Sequence, residues 1–283
     1  MTTRAWVNGR IVDAREPALL TSDHGLTVGD GVFETCKIVR GRIFATTRHL
    51  NRLAASAAGL DLPEPDLDRI RAGIAELLAA EDPIAFGRLR ITVTGGAGPL
   101  GSERVAGGGT CVLQAAVQEP PPPTSAVVLA PWVRNERSAV AGIKTTSYAE
   151  NVVALAFAKA RGASEALLAN TRGNLCEGTG SNVFVAVDGE LVTPPLSAGP
   201  LAGISRGLLL EWAAHAGLPV REGDLPVDVL TQTPEVVLTS SIRDVQPAHA
   251  IDRRMLNQPG AFGDLGARAV ALFAERAAQD SDP

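Results

Sequence analysis

Cysteine and histidine are scarce in this sequence. Its 283 residues include three cysteines, Cys36, Cys111 and Cys176, and four histidines. An odd number of widely spaced cysteines favours neither a disulfide framework nor a zinc site. We therefore expect free thiols, no bound metal and a reducing, cytoplasmic compartment.

Long apolar runs and a strong excess of one charge are also missing. No apolar run reaches the roughly 20 residues that cross a bilayer, and the first residues lack the apolar core of a signal peptide. The net charge is −5, with acidic and basic residues interspersed, which is not typical of a nucleic-acid-binding surface. These absences leave a small molecule as the expected partner, with no nucleic acid and no membrane.

The length and one proline run predict two domains. Pro120 to Pro123 favour a semi-rigid polyproline spacer, because four consecutive prolines cannot continue a helix or a central strand. We therefore expect an α/β (α+β) fold with an N-terminal domain at 1–119, a linker at 120–124 and a C-terminal domain at 125–283. Each domain should combine mixed sheets with packed helices.

Local patterns place the main elements. Asn8-Gly9 and Asp188-Gly189 predict tight hairpins. Thr46 or Thr47 is expected to cap a helix that ends near Ala58. Other helices are predicted near 65–80, 201–216 and 263–278, and strands near 32–39, 88–94, 111–117, 126–133, 165–169, 181–187 and 235–240. Residues 95–109 contain seven glycines and predict a loop.

The segment Gly142–Asn151 combines one lysine with several hydroxyl groups. If a helix begins near Lys144, then Lys144, Ser147, Tyr148 and Asn151 share one face. This polar face could be the solvent side of the helix. Alternatively, a lysine among small hydrogen-bonding groups suits an enzyme that forms a Schiff base.

Two further clusters would suit a phosphorylated pyridine cofactor. Glu177 lies at a bend rich in glycine and hydroxyls, where it is either a solvated turn carboxylate or the partner of a ring nitrogen. Ile204 and Ser205 open a helix, and Ser240 and Ser241 end a strand. These groups are either caps or a phosphate cradle.

Six motifs in the same order resemble the fold-type IV pyridoxal-phosphate enzymes. This group, the class IV aminotransferases, includes branched-chain and D-amino-acid aminotransferases and 4-amino-4-deoxychorismate lyase. The matching motifs are Gly29-Asp-Gly-Val-Phe-Glu-Thr35, His49-Leu-Asn-Arg-Leu53, Gly142-Ile-Lys144, Glu177-Gly-Thr-Gly-Ser-Asn-Val-Phe184, Leu201-Ala-Gly-Ile-Ser-Arg206 and Leu238-Thr-Ser-Ser241.

The resemblance implies roles for individual residues. It makes Lys144 the Schiff-base lysine, Glu177 the partner of the pyridine nitrogen and Arg52 the phosphate-binding arginine. The remaining cofactor contacts that it implies are Tyr148, near the phenolic oxygen, and Ile204, Ser205 and Ser241, around the phosphate; the hydroxyl of Ser240, at the end of the same strand, is a further candidate. It also implies pyridoxal 5'-phosphate between two α/β domains, in a homodimer whose partner loop, Thr21–Gly31, closes the site.

Substrate recognition departs from the family pattern. Gly95 stands where many D-amino-acid aminotransferases have a carboxylate-binding arginine, and Phe33 replaces a tyrosine found in some of them. Candidate replacements for the lost arginine are Arg88 and Arg90, which share a strand face, and Arg243.

The expected reaction is transamination. The chain contains one tyrosine and seven phenylalanines, which favours D-amino acids or small (R)-amines over the aromatic-lined pocket of L-specific members. The alternatives are an aminodeoxychorismate lyase, which would use the same lysine, and a noncatalytic binding protein on this scaffold.

Overall fold

The computed structural model describes residues 3–105 and 108–283, and their contacts divide the chain into two compact units. Unit 1 comprises the chain up to Pro120 together with Ile143–Tyr148 and Ser281–Pro283, and unit 2 comprises Pro121–Gly142 and Ala149–Asp280. The segment that carries Lys144 therefore belongs to unit 1 by its contacts, although the sequence assigned it to the second domain. Ala106 and Gly107, in the glycine-rich loop, lie outside the described residues.

Unit 1 is built on an antiparallel sheet. Its elements are β1 (Thr3–Val7), β2 (Arg10–Asp13), α1 (His24–Thr27), β3 (Gly31–Val39), β4 (Arg42–Ile43), α2 (Thr46–Gly59), α3 (Leu67–Ala79), β5 (Phe86–Thr94) and β6 (Thr110–Val117). The six strands are ordered β2-β1-β6-β5-β3-β4. In α2 and α3 the apolar stripe includes Leu50, Leu53 and Ile74, which pack into one core with Trp6 and Leu113 of the sheet.

The first hairpin forms where its turn chemistry predicts. Asn8 and Gly9 have φ values of 48° and 99°, and positive φ at both central residues is what a type I′ turn requires. The turn places Val7 opposite Arg10 and Trp6 opposite Ile11. The hairpin prediction is confirmed.

The start of α2 corrects the predicted cap. Ala45, in a left-handed conformation with no side-chain cap, occupies the N-cap position, so Thr46 and Thr47 lie inside the first turn. The Thr47 amide donates instead to Asp282 Oδ1 at 2.7 Å, and the Ala45 amide donates to the Ser281 carbonyl at 2.8 Å. The prediction was wrong because residues remote in sequence supply the acceptors.

Unit 2 is built on a mixed sheet. Its elements are β7 (Ser125–Arg134), α4 (Ala149–Lys159), β8 (Glu165–Asn170), β9 (Leu175–Gly178), β10 (Asn182–Val187), β11 (Glu190–Thr193), α5 (Ile204–Ala216), β12 (Val220–Glu222), β13 (Val236–Ser240), β14 (Asp244–Ile251), β15 (Arg254–Met255) and α6 (Asp264–Gln279), with 3-10 turns at Leu196–Ala198 and Val227–Thr231. The strand order is β12-β11-β10-β13-β14-β7-β8-β9, and β15 pairs with β14. β7 runs parallel to both β8 and β14.

Helix α5 ends where the sequence predicts and begins at Ile204, three residues after the predicted start. Gly203 is its N-cap residue, and Gly217 ends it with a φ of 66°. Its Trp212 ring packs 5.0 Å from the Phe273 ring of α6. Among the described residues, no helix is long and apolar enough to cross a membrane. The predicted fold class, mixed sheets with packed helices, is confirmed.

The segment Ile143–Tyr148 is not helical, so the predicted polar helix face was wrong. Helix α4 begins at Ala149, and Thr145 instead forms an antiparallel bridge with Val32 at the start of β3. The Phe33 amide donates to the Lys144 carbonyl at 2.9 Å, and the Thr146 amide donates to the Gly31 carbonyl at 2.8 Å. These pairings occupy backbone groups that a helix would need.

Candidate active site

Lys144 lies beside two aromatic rings of unit 1. Its Nζ atom is 4.4 Å from the centroid of the Phe33 ring and 5.8 Å from that of Tyr148. The two rings meet edge to face, with centroids 5.2 Å apart. The Lys144 amide also donates to Ser56 Oγ at 3.4 Å. The lysine is therefore held on a short extended segment, with its amine over Phe33.

Arg90 approaches the same phenylalanine from strand β5. Its guanidinium carbon is 3.8 Å from the Phe33 ring centroid, and its Nε donates to Thr92 Oγ1 at 3.1 Å. Within residues 3–105 and 108–283 it makes no ion pair. Burial lowers the pKa of Arg90, and the neighbouring charge of Arg88 adds to this effect. Arg88 itself is exposed.

A buried network connects β3 with α2. The carboxylate of Glu34, fully shielded from solvent, accepts from Arg52 Nε and Nη2, each at 2.7 Å. His49 Nδ1 lies 2.7 Å from Glu34 Oε2. His49 and Arg52 are three residues apart on α2, so they reach the strand from one helix face.

The charges in this network stabilise each other. Burial alone raises the pKa of Glu34, but the charge and hydrogen bonds of Arg52 and the hydrogen bond of His49 outweigh it and bring this pKa to about 2. Burial lowers the pKa of His49. Because an ionised Glu34 is only an acceptor, His49 donates from Nδ1.

Glu177 lies on β9 of unit 2, next to an arginine. Its Oε2 accepts from the Leu201 amide at 3.0 Å, and its Oε1 is 3.7 Å from Arg134 Nη2. Arg134 also pairs with Glu150 at 3.3 Å, and its Nε is a buried donor that lacks a hydrogen-bond partner among the described residues. The carboxylate is thus oriented by one amide and one cation.

The bend after Glu177 is held by a second buried carboxylate. Glu165 is 2% exposed and accepts hydrogen bonds from the Thr179 amide at 2.9 Å, the Thr179 hydroxyl and Ser181 Oγ at 3.0 Å. Asn151 Nδ2 donates to the Thr179 carbonyl at 2.6 Å. Both sides of the bend are therefore fixed by side chains from neighbouring elements.

The first turn of α5 presents backbone amides without a side-chain cap. A Cβ atom on the preceding Gly203 would lie 1.8 Å from Asn182 Oδ1, so a side chain there would displace Asn182. Asn182 Nδ2 donates to the Leu201 carbonyl at 2.8 Å. Leu201 is thereby bonded to both Glu177 and Asn182. Ile204 and Ser205 follow at the helix start, where amides and the helix dipole favour an anion.

The residues after β13 include the third arginine candidate. The Arg243 amide donates to Ser240 Oγ at 3.2 Å, and its guanidinium donates to Gln246 Oε1 at 2.5 Å and lies 3.5 Å from Glu165 Oε2. Ser241 follows Ser240 in the same turn. Arg243 is therefore committed to groups of unit 2 itself.

Several predicted site residues come together within each unit, and other residues were missed. Unit 1 groups Phe33, Arg90, Lys144 and Tyr148, and unit 2 connects Glu177 with the start of α5. The sequence did not single out Glu34, His49, Arg134 or Glu165 as functional. An acidic residue inside the mostly apolar β3, followed by His49 and Arg52 at i and i+3, was the available signal for Glu34.

Each unit carries groups of the kinds that bind pyridoxal phosphate. Unit 1 contains an amine flanked by aromatic rings and a fixed guanidinium, and unit 2 contains an oriented carboxylate and an uncapped helix start. An amine can attach the aldehyde, a carboxylate suits a ring nitrogen, and a helix start suits a phosphate. No group of three or more metal-ligating residues occurs in the described part of the chain.

Comparisons with known proteins give a consistent result. A family model described as amino-transferase class IV matches residues 31–251. A Methanocaldococcus jannaschii protein with the provisional name branched-chain-amino-acid aminotransferase is 31% identical over 260 residues, 90% of each chain. A Mycobacterium tuberculosis protein, named bifunctional aminodeoxychorismate lyase / D-amino acid transaminase, is 31% identical over 88% of this chain and 91% of its own. The fold IV-transaminase CpuTA1 of Curtobacterium pusillum superposes with a TM-score of 0.85 and 28% identity, over 99% of this chain and 100% of that one.

Proposed function

The chain belongs to the class IV aminotransferase family, and from this membership we propose that it transfers the amino group of D-amino acids or small (R)-amines to 2-oxo acids. Like the other members of the family, it is an enzyme that depends on pyridoxal 5'-phosphate. When bound, this cofactor supplies an electron sink for the charge left on the substrate Cα. The substrate class is the part that the residues of this chain must decide.

The environment of Arg90 supports an amino-acid substrate. Its half-buried guanidinium lies against Phe33 beside the Lys144 amine and makes no ion pair within the described ranges. A cation without a counterion in a partly dry site is costly, and a substrate carboxylate would relieve that cost. Arg243 is a weaker candidate because its guanidinium already bonds Gln246 and lies near Glu165, and Arg88 is exposed.

The remaining residues have roles that follow from their chemistry. Lys144 would hold the cofactor through its amine, and this amine would take a proton from the substrate Cα and return it. Glu177, oriented by Arg134 and the Leu201 amide, suits the ring nitrogen. Arg52 in unit 1, and Ile204 and Ser205 at the α5 start in unit 2, are each of a kind that binds a phosphate, and Tyr148 suits the phenolic oxygen.

The preference for D-amino acids or (R)-amines rests on two supports. The chain is poor in aromatic residues that could line a large apolar side-chain pocket, and the Mycobacterium tuberculosis relative carries a D-amino acid transaminase name. The same name supports the second candidate, an aminodeoxychorismate lyase that would release pyruvate and 4-aminobenzoate with the same lysine.

A half-reaction separates these possibilities. The yellow holoenzyme is titrated with single D-amino acids, L-amino acids and (R)-amines, and the visible band and the released keto acid are measured. We expect D-alanine or D-glutamate to bleach the band and release an equivalent of keto acid. A protein inert to all of these that forms 4-aminobenzoate from aminodeoxychorismate would establish the lyase, and bleaching by L-amino acids alone would refute the stereochemical proposal.

A further inference from the structure

Glu34 and His49 have no role in the chemistry described so far. Glu34 is fully buried, and its two carboxylate oxygens meet Arg52 Nε and Nη2 side by side, at 2.7 Å each. Such a two-point contact fixes both the position and the plane of a guanidinium, which a single hydrogen bond does not. His49 Nδ1, 2.7 Å from Oε2, fixes the carboxylate in turn.

We propose that Glu34 is a positioning residue for the cofactor phosphate, which it serves by holding the Arg52 guanidinium in one orientation, with His49 holding Glu34. The inference rests on the proposed function, because it takes Arg52 as the phosphate-binding arginine. Glu34 does not touch the cofactor in this proposal. Its effect passes through the edge of Arg52 that carries Nε and Nη2.

A purely structural ion pair is the competing explanation. Buried ion pairs often add little stability compared with apolar residues of the same volume, so stability alone is a weak reason for three polar groups in this core. Val32 and Cys36 of the same strand pack into one apolar cluster with Leu50 and Leu53 of the same helix. An arginine on a helix has many rotamers, and the pair selects one of them in advance of ligand binding.

Two ligands distinguish the explanations. Pyridoxal phosphate and pyridoxal share the ring and aldehyde, but only the first presents a phosphate to Arg52. We expect Glu34→Gln in the full chain, stripped of cofactor, to weaken pyridoxal phosphate binding about tenfold and to leave pyridoxal binding nearly unchanged. Equal weakening of both ligands would mean a general structural defect and would overturn the proposal.

A double-mutant cycle tests the route through Arg52. If Glu34 acts only by holding this guanidinium, Arg52→Ala and the double variant Arg52→Ala/Glu34→Gln should bind pyridoxal phosphate equally weakly. Independent, additive losses would contradict the proposal. Glu81→Gln is the matched control, because it removes a carboxylate from the buried Arg4 at 3.2 Å in the same unit. We expect it to leave both affinities unchanged.

His49→Gln provides a second route if Glu34→Gln does not fold. The glutamine amide can still fill the space of the imidazole but holds the Glu34 carboxylate less rigidly. We therefore expect a smaller loss of affinity, for pyridoxal phosphate and not for pyridoxal. Unchanged affinity in this variant would overturn the proposal. If Arg52→Ala loses affinity while Glu34→Gln does not, the positioning role fails and the proposed function stands. If the wild-type chain does not bind pyridoxal phosphate, both fail.

Discussion

The ring of Phe33 carries two cationic neighbours, the Lys144 amine at 4.4 Å and the Arg90 guanidinium at 3.8 Å from its centroid. The amine suits the cofactor and the guanidinium suits a substrate anion. The Phe33 ring contacts both groups and lies between these two candidate roles. Under the proposed function, recognition of a substrate carboxylate is assigned to the guanidinium.

Replacing Lys144 should stop turnover. The chain contains only three lysines, Lys37, Lys144 and Lys159, so borohydride reduction followed by peptide mapping has few possible outcomes. We expect the reduced cofactor on the Lys144 peptide and no turnover by Lys144→Ala, since the variant lacks the amine that moves the proton. The exposed Lys159→Ala is the control and should keep full activity. A label on Lys37 or Lys159 would refute the assignment.

Replacing Arg90 should affect acids and not amines. A charge-assisted contact to a carboxylate is worth about 1.5–3 kcal/mol, so we expect Arg90→Ala to raise KM for D-glutamate or D-alanine roughly ten- to a hundredfold. (R)-phenylethylamine has no carboxylate and should show a much smaller change. Arg88→Ala, on the same strand but exposed, is the comparison. Equal losses on acid and amine in Arg90→Ala would place the carboxylate site elsewhere.

The low pKa of Glu34 predicts an acid-sensitive contribution to stability. Its pKa falls from 4.5 to about 2 on folding, so the unfolded chain binds more protons in this range. The resulting stabilisation is complete above pH 4.5 and is lost as the pH falls through 2. A shift of this size corresponds to about 3 kcal/mol.

Urea unfolding along the acid range measures this contribution. We expect the free energy of unfolding of the wild type to decrease from about pH 4.5 downwards, and Glu34→Gln to show a flatter acid slope together with a lower stability at neutral pH. Glu81→Gln should keep the wild-type slope. An unchanged slope in Glu34→Gln would contradict the low pKa.

At the scale of elements, helix α2 depends on the end of the chain. Asp282 accepts from the Thr47 amide at 2.7 Å and from its hydroxyl at 2.6 Å, and Arg48 Nε donates to the Pro283 carbonyl oxygen at 2.7 Å. The tail therefore supplies the cap that Ala45 does not. One turn further along the same helix lie His49 and Arg52.

Removing this remote cap should destabilise the protein modestly. We expect Asp282→Ala to lower the free energy of unfolding by about 1 kcal/mol, the usual effect of losing an N-cap acceptor. Asp282→Asn keeps an acceptor oxygen and should retain most of the stability. Thermal and urea unfolding of both variants decide the point, and equal stability of Asp282→Ala and the wild type would mean that water replaces the cap.

Elements fixed by local chemistry were predictable, and those fixed by remote partners were not. Asn8-Gly9 encodes its hairpin within the turn itself, and Gly203 and Gly217 bound α5 in the same way. The segment around Lys144 was predicted to be helical because its polar residues have helical spacing. Its residue Thr145 instead forms a β-bridge with Val32. The cap of α2 likewise comes from Asp282, which is remote in sequence. A local sequence pattern does not reveal partners that are remote in sequence.

The same distinction applies to the candidate site. The order of the motifs assigned roles to Lys144, Glu177 and Arg52, and these roles remain predictions. The groups that hold them were not evident, since Glu34, Arg134 and Glu165 act through contacts between separate elements. A buried charge needs a partner, so an acidic residue in a mostly apolar strand was the one sign that the sequence offered.

At the scale of the whole molecule, the expected assembly is a homodimer in which the Thr21–Gly31 loop reaches the partner's site. Within its own chain this loop is held by His24 Nε2, 2.8 Å from the Pro99 carbonyl oxygen, and by Arg104, which pairs with Asp30 at 2.5 Å. We predict a mass of twice 29.4 kDa by light scattering. A monomer with full activity would refute the role of a partner loop.

The chain passes between the two units at four places, after Pro120, Gly142, Tyr148 and Asp280. For gene recombination this means that neither unit is a contiguous cassette. A fragment cut at Pro120 would lack both the lysine and the strand-like segment that covers Val32, whereas a chimera would have to exchange residues 143–148 together with the N-terminal part. Crossover points chosen from the proline run alone would therefore separate the lysine from the sheet that positions it.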